Sequence, residues 1–318
     1  MPFPQILISE VGPRDGLQSV RSIMPTAAKL AWIRAEAAAG VREIEVGSFV
    51  PASVLPQLAD TPEVVAAALQ VPGLTVAALV PNLKGAQCAV ACGVHKITLP
   101  FSVSETHSLR NLKRTHPQMF EEVAAIVALL GELPQAQRPH FEVGLSTAFG
   151  CTLEGPVSEA AVLAIGEHCV ALGADEVGLS DTTGYANPAQ VKRLVRALAA
   201  AVGQERASGI HLHNTRGQGL ANALAAIEAG ITTLDAPLGG LGGCPFAPGA
   251  SGNIVTEDLV FMLEAMGLTT GIDLPRLLDV RREVALSLPG EEWFGYTAAA
   301  GLPKGFATAV ASARQVNA

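Results

Sequence analysis

The sequence predicts an α/β protein built as a (β/α)8 barrel, the TIM barrel, with a short helical appendage at its carboxyl end. Short runs of apolar or β-branched residues alternate about eight times with longer alanine- and leucine-rich stretches of helical period. Strands that alternate with helices pair in parallel through right-handed crossovers, and eight such units favour a closed barrel. A doubly wound sheet is the alternative, but the sequence has no GxGxxG motif after an early strand and no GxxxxGK[ST] motif.

Each strand and helix is predicted from its own local pattern. Strands are predicted at residues 6–10, 43–47, 74–80, 95–99, 140–146, 176–179, 209–213 and 233–236. Helices are predicted at residues 27–39, 62–69, 83–91, 117–130, 158–172, 188–201, 218–229 and 256–266. Glycine follows several helix ends, where a left-handed residue is expected, at Gly40, Gly93, Gly173 and Gly230.

The chain is expected to divide after residue 267. Residues 1–267 would form the catalytic barrel, and residues 268–318 a helical appendage packed on it. Helices are predicted in this appendage at residues 274–287 and 304–313, around the turn-rich segment LPGEEWFGYT. We expect the appendage to cover one end of the barrel or to form a subunit contact, with a homodimer as the assembly.

Composition argues against two kinds of partner. The 318 residues include 21 Lys and Arg against 29 Asp and Glu, a formal net charge of -8, and the chain has no basic run. Nucleic acid is therefore not an expected partner. The amino terminus lacks a cationic segment followed by a long apolar run, and no stretch reaches the ~18 apolar residues of a membrane helix. We expect no membrane contact and a cytoplasmic location.

The five cysteines are irregularly spaced and do not indicate a disulfide framework in a chain of this length. Cys88 and Cys92 lie four residues apart in a predicted helix, and no second pair completes a metal site. We expect these two and Cys169 to be buried packing residues. Cys244 differs, because a glycine and a proline flank it in a glycine-rich loop that cannot form regular structure.

Polar side chains collect at the predicted carboxyl ends of the strands, where a barrel of this type carries its chemistry. In chain order they are Glu10, Arg14, Asp15, Glu45, Ser48, Asn82, Lys84, Ser146, Thr147, Ser180, Asp181, His211, His213 and Asn253. Any one of them could be a helix cap or a turn residue. Their convergence at one end of the barrel favours an active site.

The sequence HLH indicates a metal site. Alternate side chains of a strand share a face, so His211 and His213 point the same way. Two buried, hydrogen-bonded histidines are the alternative. A carboxylate, two neutral imidazoles and an amide oxygen suit a divalent ion, and the absence of a pair of thiolates favours Mg²⁺ or Mn²⁺. Such an ion would hold the hydroxyl and carbonyl oxygens of an oxygenated acid.

Three segments resemble the motifs of the 3-hydroxy-3-methylglutaryl-CoA lyase family. They are EVGPRDGLQ at residues 10–18, HLHNTRGQG at 211–219 and GGLGGCPFAPGASGN at 239–253. The RDG and HxH elements are shared with the wider group of metal-dependent barrel enzymes that includes isopropylmalate synthase, whereas the GLGGCP loop is typical of the lyases. The similarity extends over nearly the whole chain, through IEVGSFVP, VPNLKG and SGNIVTEDLVFMLEAMG.

The resemblance implies a divalent metal and an acyl-CoA substrate. The implied metal ligands are Asp15, His211, His213 and Asn253. Glu45 and Asp181 would lie beside these ligands and support catalysis. The residues expected to contact the acyl-CoA are Ser48, Asn82, Lys84 and Arg216. The implied reaction cleaves 3-hydroxy-3-methylglutaryl-CoA, or a close 3-hydroxyacyl-CoA analogue, to acetoacetate and acetyl-CoA.

This reaction needs a base, an electrophile and a proton donor. The resemblance implies catalytic roles for Arg14, which can stabilise the charge of the enolate, and for Cys244, which can return the proton that makes acetyl-CoA. His211 is a candidate base, but a coordinated nitrogen cannot also accept a proton. Either its other nitrogen or a metal-bound water would then do so.

One segment departs from the family pattern, which usually reads HxHDTYGQ. Asn214 and Arg216 stand here in place of the aspartate and the tyrosine. They could favour a different acyl substituent or an extra acidic group on the substrate, or they could make contacts at a helix start. Two other functions stay open, a condensing acyl-CoA synthase of the isopropylmalate synthase type and a catalytically silent barrel acting as a binding subunit. Neither is favoured, because no large regulatory region follows residue 267 and every expected metal ligand is present.

Overall fold

The computed structural model describes residues 5–242 and 252–309. Eight parallel strands close into a barrel in the order in which they occur along the chain. They are β1 (Leu7–Glu10), β2 (Glu43–Ser48), β3 (Thr75–Leu79), β4 (Lys96–Ser102), β5 (His140–Ser146), β6 (Glu176–Ser180), β7 (Gly209–His211) and β8 (Thr233–Ala236). The predicted (β/α)8 barrel is confirmed.

Helices surround the barrel. They are α1 (Leu17–Ser19), α2 (Thr26–Ala39), α3 (Thr61–Ala68), α4 (Leu83–Cys92), α5 (Glu105–Asn111), α6 (His116–Gly131), α7 (Glu159–Leu172), α8 (Pro188–Val202), α9 (Gly219–Ile227), α10 (Thr256–Ala265), α11 (Leu274–Ser287) and α12 (Thr297–Ala300). The eight helices predicted for the barrel are all present, whereas the short helices α1, α5 and α12 were not expected. Within the described residues, no helix is both long and apolar enough to cross a membrane.

Two strands differ from the prediction by two or more residues at one end. β4 continues through Pro100 to Ser102, although proline usually interrupts a strand. The pairing of β3 with β4 ends at Thr98, so Pro100 pairs only with β5 and its missing N–H is not needed on the other side. β7 ends at His211, because His213 pairs in antiparallel fashion with Asn253 instead of continuing the parallel sheet.

The helix α11 lies in the outer ring of helices, against α2 and α10. The N–H of Asp273 donates to the carbonyl of Ala39 at 2.7 Å. Gly40, which ends α2 with φ of 110°, approaches the carbonyl of Gly271 so closely that any side chain would clash. The division of the chain after residue 267 stays a prediction.

The helix predicted at residues 304–313 is wrong for residues 304–308, which form a turn followed by irregular chain. Gly305 has φ of 81°, and the N–H of Phe306 closes the turn by donating to the carbonyl of Pro303 at 2.9 Å. The apolar pattern of this segment resembles a helix, but proline and glycine at its start favour the turn. Residues 310–313 lie outside the described part of the chain.

Residues 291–296 return from α11 to the carboxyl ends of the strands. The N–H of Phe294 donates to the carbonyl of Gly239 at 2.8 Å. Arg281 Nη1 donates to the carbonyl of Phe294 at 2.6 Å and lies 2.7 Å from Glu257. Glu291 and Phe294 therefore line the mouth of the barrel.

The interior of the barrel is polar, whereas branched apolar side chains fill most barrels of this type. Lys96 Nζ lies 2.8 Å from Glu142 and 3.3 Å from Glu43. At the amino-terminal ends of β5 and β6, His140, which is exposed, lies with its Nε2 3.1 Å from the buried Glu176. The apolar core lies instead between the strands and the helices.

Three buried carboxyl groups, those of Glu10, Glu36 and Glu257, meet between β1 and the helices α2 and α10. Glu10 accepts hydrogen bonds from the N–H of Leu238 and the hydroxyl of Thr256, both at 2.8 Å. Burial raises the pKa of Glu10 to about 8. Burial, together with the charge of Glu10, raises the pKa of Glu36 well above its usual value.

The protein should lose stability as the pH rises through the titration of this cluster. Because the pKa of Glu36 is raised in the folded chain, its contribution to stability is fully present below the unfolded value of 4.5 and is lost as the pH rises through the folded value. Glu36→Gln cannot ionise, so its melting temperature should fall less than that of the wild type as the pH rises above the unfolded value of 4.5. The exposed Glu167→Gln variant is the control, and equal pH profiles for Glu36→Gln and wild type would contradict the prediction.

Candidate metal centre and active site

A π-helical turn over Gly12–Gly16, directly after β1, places the first two site residues. The carbonyl of Val11 accepts hydrogen bonds from the N–H groups of Arg14, Asp15 and Gly16 at 3.1, 2.7 and 3.3 Å. Single π turns are frequent at functional sites. Here the turn brings Arg14 and Asp15 to the wall of the cavity at the barrel mouth.

Asp15, His211 and His213 form the candidate metal centre. One ligand atom of each residue lies within 4.8 Å of those of the other two. The Nε2 atoms of the two imidazoles face each other at 3.1 Å, an arrangement that needs a shared proton or a cation. No second group of three such side chains occurs in residues 5–242 and 252–309.

Asn253 completes a set of four candidate ligands. Its Nδ2 donates to Asp15 at 2.6 Å and to the carbonyl of Leu241 at 3.2 Å. Its Oδ1 is buried and has no hydrogen-bond partner among the described residues. A buried amide oxygen without a partner is costly, and a cation beside Asp15 and His213 would satisfy it. The donor set therefore fits a divalent metal ion.

The charge states also suit a cation. Burial would raise the pKa of Asp15, but Arg14 and His211 outweigh burial and lower it to about 2. Burial, with the charge of His211, lowers the pKa of His213 to about 3. At neutral pH Asp15 is ionised and His213 is neutral, and these are the forms that bind metal ions.

Arg14 joins this centre to β2. Its Nη1 lies 2.6 Å from Asp15, and its Nε donates to Glu45. Burial raises the pKa of Glu45, although the guanidinium of Arg14 opposes that shift. Glu45 thus lies where the sequence predicts it, and it contacts Arg14.

Asp181 lies buried just after β6. Its Oδ1 accepts the N–H groups of Tyr185 and Ala186 at 2.8 and 3.1 Å, while Oδ2 has no hydrogen-bond partner within the described chain. Burial raises the pKa of Asp181 to about 7, despite these two hydrogen bonds. Asp181 therefore shapes the turn after β6, and a buried carboxyl with such a pKa is a candidate for proton transfer.

The predicted substrate contacts after β2 and β3 lie in different surroundings. Asn82 lines the cavity, and its Oδ1 caps α4 by accepting the N–H of Gly85 at 3.0 Å. Ser48 is buried, and its Oγ accepts the N–H of Val50 at 3.3 Å. Lys84 is exposed on the first turn of α4. Of these three predicted residues, Asn82 alone is among the described residues that line the cavity.

Asn214 and Arg216 make contacts within the fold. Asn214 Oδ1 accepts the N–H of Gly219 at 2.9 Å, where α9 begins. Arg216 Nη1 donates to the carbonyl of Gly184 at 2.9 Å, and its guanidinium lies over the ring of Tyr185, 4.6 Å from the centroid. These contacts support helix-start and loop roles for the two residues.

Two site residues were missed by the sequence analysis. Asp235 lies opposite His211 in the pairing of β7 with β8, with its Oδ2 3.2 Å from His211 Nδ1. Burial would lower the pKa of His211, but the hydrogen bond and charge of Asp235 raise it above its usual value. Gln18 Nε2 donates to Asp15 at 2.6 Å. The alternation of residues along β8 could have indicated Asp235, since it faces inward beside the strand that carries His211.

Cys244 lies outside the described residues. Among the other cysteines, Cys151 and Cys169 are buried, Cys92 is half-buried and Cys88 is exposed. Burial raises the pKa of Cys169 to about 12. The expectation that Cys88 is buried is wrong, because α4 turns glycine and alanine residues inward instead. The alanine-rich sequence of α4 gives little polar contrast from which to predict a face.

The candidate metal centre opens into a cavity of about 1080 Å³ at the carboxyl ends of the strands. Its wall includes Arg14, Asp15, Asn82, His211, His213 and Asp235. Ligand pockets in proteins usually measure about 300–1,000 Å³, so this cavity can take an organic ligand of considerable length. An ion at the triad would hold the oxygen atoms of such a ligand.

The fold and the site together define a class of protein, a (β/α)8 barrel enzyme with a candidate metal centre at the carboxyl ends of its strands. The HMGL-like family model matches residues 5–284, and the chain belongs to this family.

Similar proteins cover most of the chain. The hydroxymethylglutaryl-CoA lyase YngG of Bacillus subtilis (strain 168) is 38% identical over 283 residues, 89% of this chain and 93% of that protein. The mitochondrial hydroxymethylglutaryl-CoA lyase of Macaca fascicularis is 38% identical over 286 residues, 89% of this chain and 86% of that protein. A solved HMG-CoA lyase from Acinetobacter baumannii, in complex with coenzyme A and 3-methylmalate, has a TM-score of 0.88 and 42% identity and covers 95% of this chain and 97% of its own.

Removing the carboxylate beside His211 should weaken metal binding. Asp235 holds Nδ1 of His211 and so turns Nε2 towards His213. Loss of such a partner typically costs about 10- to 100-fold in metal affinity, so Asp235→Ala should lower the affinity for Mn²⁺ by that factor in calorimetric titration. Asp235→Asn keeps an acceptor and should lose less, and the exposed Asp279→Ala variant is the control. Equal affinities for Asp235→Ala and wild type would count against this role.

Proposed function

We propose that this protein is a divalent-metal-dependent carbon–carbon lyase. It cleaves 3-hydroxy-3-methylglutaryl-CoA, or a close 3-hydroxyacyl-CoA analogue, to acetoacetate and acetyl-CoA. The observation that carries the proposal is the meeting of Asp15, His211 and His213 at the cavity, in a chain whose relatives are named hydroxymethylglutaryl-CoA lyases. The relatives give no support to the condensing or the catalytically silent alternative.

The proposed metal ligands are Asp15, His211, His213 and Asn253. Mg²⁺ or Mn²⁺ is the proposed ion, because a carboxylate, an amide oxygen and two imidazoles are hard or borderline ligands. When bound, the ion supplies a Lewis acid that polarises the hydroxyl and carbonyl oxygens of the substrate. The unpartnered Oδ1 of Asn253 supports its inclusion in the set.

In the proposed reaction the C3 hydroxyl loses its proton and the C2–C3 bond breaks. The electron pair of that bond forms the thioester enolate, and C3 becomes the ketone carbon of acetoacetate. Arg14, which lines the cavity, stabilises the negative charge of the enolate. Cys244 then gives a proton to C2 of the enolate and completes acetyl-CoA.

His211 suits the role of ligand better than that of base. Its Nδ1 lies against Asp235 and its Nε2 faces His213. Each ring nitrogen already has a partner, so neither is free to accept the hydroxyl proton of the substrate. The hydroxyl proton therefore passes to water in the open cavity. Glu45 acts as a positioning residue for Arg14, and Asp181 as one for the turn after β6.

The acyl-CoA is proposed to enter through the mouth of the barrel, past Asn82. The similar structure of the HMG-CoA lyase from Acinetobacter baumannii, which contains coenzyme A, supports the proposal that coenzyme A binds here. Ser48, Lys84 and Arg216 stay proposed contacts of the bound substrate. The homodimer and the cytoplasmic location stay predictions of the sequence.

Chelation should abolish the cleavage of 3-hydroxy-3-methylglutaryl-CoA, and Mg²⁺ or Mn²⁺ should restore it. His213→Ala should lower metal affinity by at least about 10-fold, the scale expected for disturbed coordination. The measurements are acetyl-CoA release, followed by mass, and calorimetric titration with Mn²⁺. The exposed His168→Ala variant is the control. Full activity of metal-free, chelator-treated protein would rule out the proposed mechanism.

Cys244→Ser should lower kcat by about 10²-fold or more, the scale of losing a general acid, while metal affinity and melting temperature stay unchanged. A thiol with a pKa near ~8.5 can donate a proton to an enolate, whereas a serine hydroxyl is a far weaker acid. The matched control is Cys88→Ser, which changes an exposed thiol. A near wild-type kcat for Cys244→Ser would assign the proton to water instead.

A further inference from the structure

The barrel interior stays open below the candidate metal centre beside Gly144, an inward position that carries no side chain. Glu142, Gly144 and Ser146 alternate onto the inner face of β5, and all three line the cavity. Gly144 pairs with Gly178 of β6, which also lines the cavity. Inward positions of such barrels usually carry branched side chains that fill the interior.

The backbone does not require a glycine at position 144. Gly144 lies in a regular strand and is not among the glycines of positive φ. A Cβ built there would meet only Cγ2 of Thr98, at 3.6 Å, an ordinary van der Waals distance. The space that a side chain at position 144 would fill is therefore open, and a ligand can occupy it. Gly178 differs, since the Glu142 carboxylate lies where its Cβ would be.

This space lies deeper in the barrel than the metal centre. Ser180 of β6 pairs with His211, and Gly178, the partner of Gly144, comes two residues earlier. Two residues of a strand span about 6–7 Å. A ligand whose C3 hydroxyl is held at the triad and whose thioester arm leaves through the mouth would therefore direct one of its two other C3 substituents towards Gly144.

The floor of this space is polar and rich in carboxylates. Glu142 lies 2.8 Å from Lys96, and Glu45 and Asp235 face the same interior. A second anionic group on the substrate would be repelled there and would lose its hydration without gaining a cation of its own. An uncharged substituent meets no such penalty, and a hydroxyl could donate to Glu142.

We propose that Thr98, Glu142, Gly144 and Gly178, the Gly144 pocket, bind the C3 substituent of the substrate. The preferred substrate is then a 3-hydroxyacyl-CoA with an uncharged C3 substituent longer than methyl. This inference rests on the proposed lyase function and names its substrate class. Gly144 is the residue that determines the length of the substituent.

The test uses Mn²⁺-loaded full-length protein and 3-hydroxy-3-methylglutaryl-CoA together with analogues in which ethyl, 2-hydroxyethyl or carboxymethyl replaces the 3-methyl group. Wild type should have a higher kcat/KM for the ethyl or hydroxyethyl compound than for the methyl or carboxymethyl compound. Gly144→Val should lower the ratio of kcat/KM for ethyl over methyl by at least about 10-fold, the scale expected for a misfitted methylene. Gly131→Val, at the end of α6 where a Cβ meets no atom within 4 Å, is the matched control.

A wild-type preference for the methyl compound would overturn the proposal, and so would an ethyl-to-methyl ratio that Gly144→Val leaves unchanged. If Gly144→Val does not fold, Gly144→Ala replaces it, because its Cβ fits at 3.6 Å. Failure of wild type to cleave any compound would refute the lyase function but not the pocket. The pocket is then tested by calorimetric titration with the corresponding 3-hydroxy acids. If Gly144→Val loses affinity for the ethyl acid but not for the methyl acid, the pocket is supported. If it loses affinity for both acids equally, the pocket is overturned.

Discussion

The rest of the site depends on the buried guanidinium of Arg14. It lies between Asp15 of the π turn and Glu45 of β2, so one cation compensates two carboxylates that burial would otherwise protonate. The low pKa of Asp15 follows from this pairing and from the nearby His211. Breaking a buried pair of this kind typically costs about 3–5 kcal/mol, because an uncompensated charge remains. A change at Arg14 would therefore disturb Asp15, the proposed metal ligand, together with Glu45 of β2 and the charge at the proposed reacting centre.

The polar interior extends this constraint through the barrel. The acidic side chains facing the interior include Glu43, Glu45, Glu142, Glu176 and Asp235, against Lys96 and Arg14. Such an excess of carboxylates attracts any cation that enters the barrel. The triad lies at the open end of the barrel, where a cation can enter from solvent. Stability comes mainly from the separate apolar layer between strands and helices. Because stability does not depend on apolar packing inside the barrel, the interior can hold charged side chains and an open cavity.

The sequence predicted the parts of the molecule that follow from regular periodicity. The alternation of strands and helices was enough for the barrel, and the HLH pattern was enough to place His211 and His213 together. Contacts between segments that are far apart in the sequence could not be predicted from local periodicity. The antiparallel pairing of His213 with Asn253 ends β7 early, and no local sequence pattern predicts this pairing. Asp235 was missed because it is a single acidic residue in a four-residue strand, although its position in the alternation of β8 places it on the inner face.

Alanine-rich helices limited the prediction for a different reason. Small side chains occur on both faces of α4, so the buried face is set by how closely the helix can approach its neighbours. That is a property of the packed barrel, and it left Cys88 exposed. The π turn after β1 is likewise set by packing, because a Cβ at Gly12 would collide with Glu10 and the ring of Trp32.

Gly242 and Gly252, the described residues on either side of the segment that carries Cys244, both lie beside the candidate metal centre. At one end, a Cβ on Gly242 would lie 2.8 Å from Asn253 Nδ2 and 3.0 Å from the carbonyl of Asp15. At the other end, the carbonyl of Gly252 accepts the N–H of Asn214 at 2.8 Å. The close approach at Gly242 explains why that position needs glycine, with φ of 101°. Gly242 and Gly252 therefore each contact a residue at or beside the proposed metal ligands, Asp15 and Asn253 for the first and Asn214 for the second.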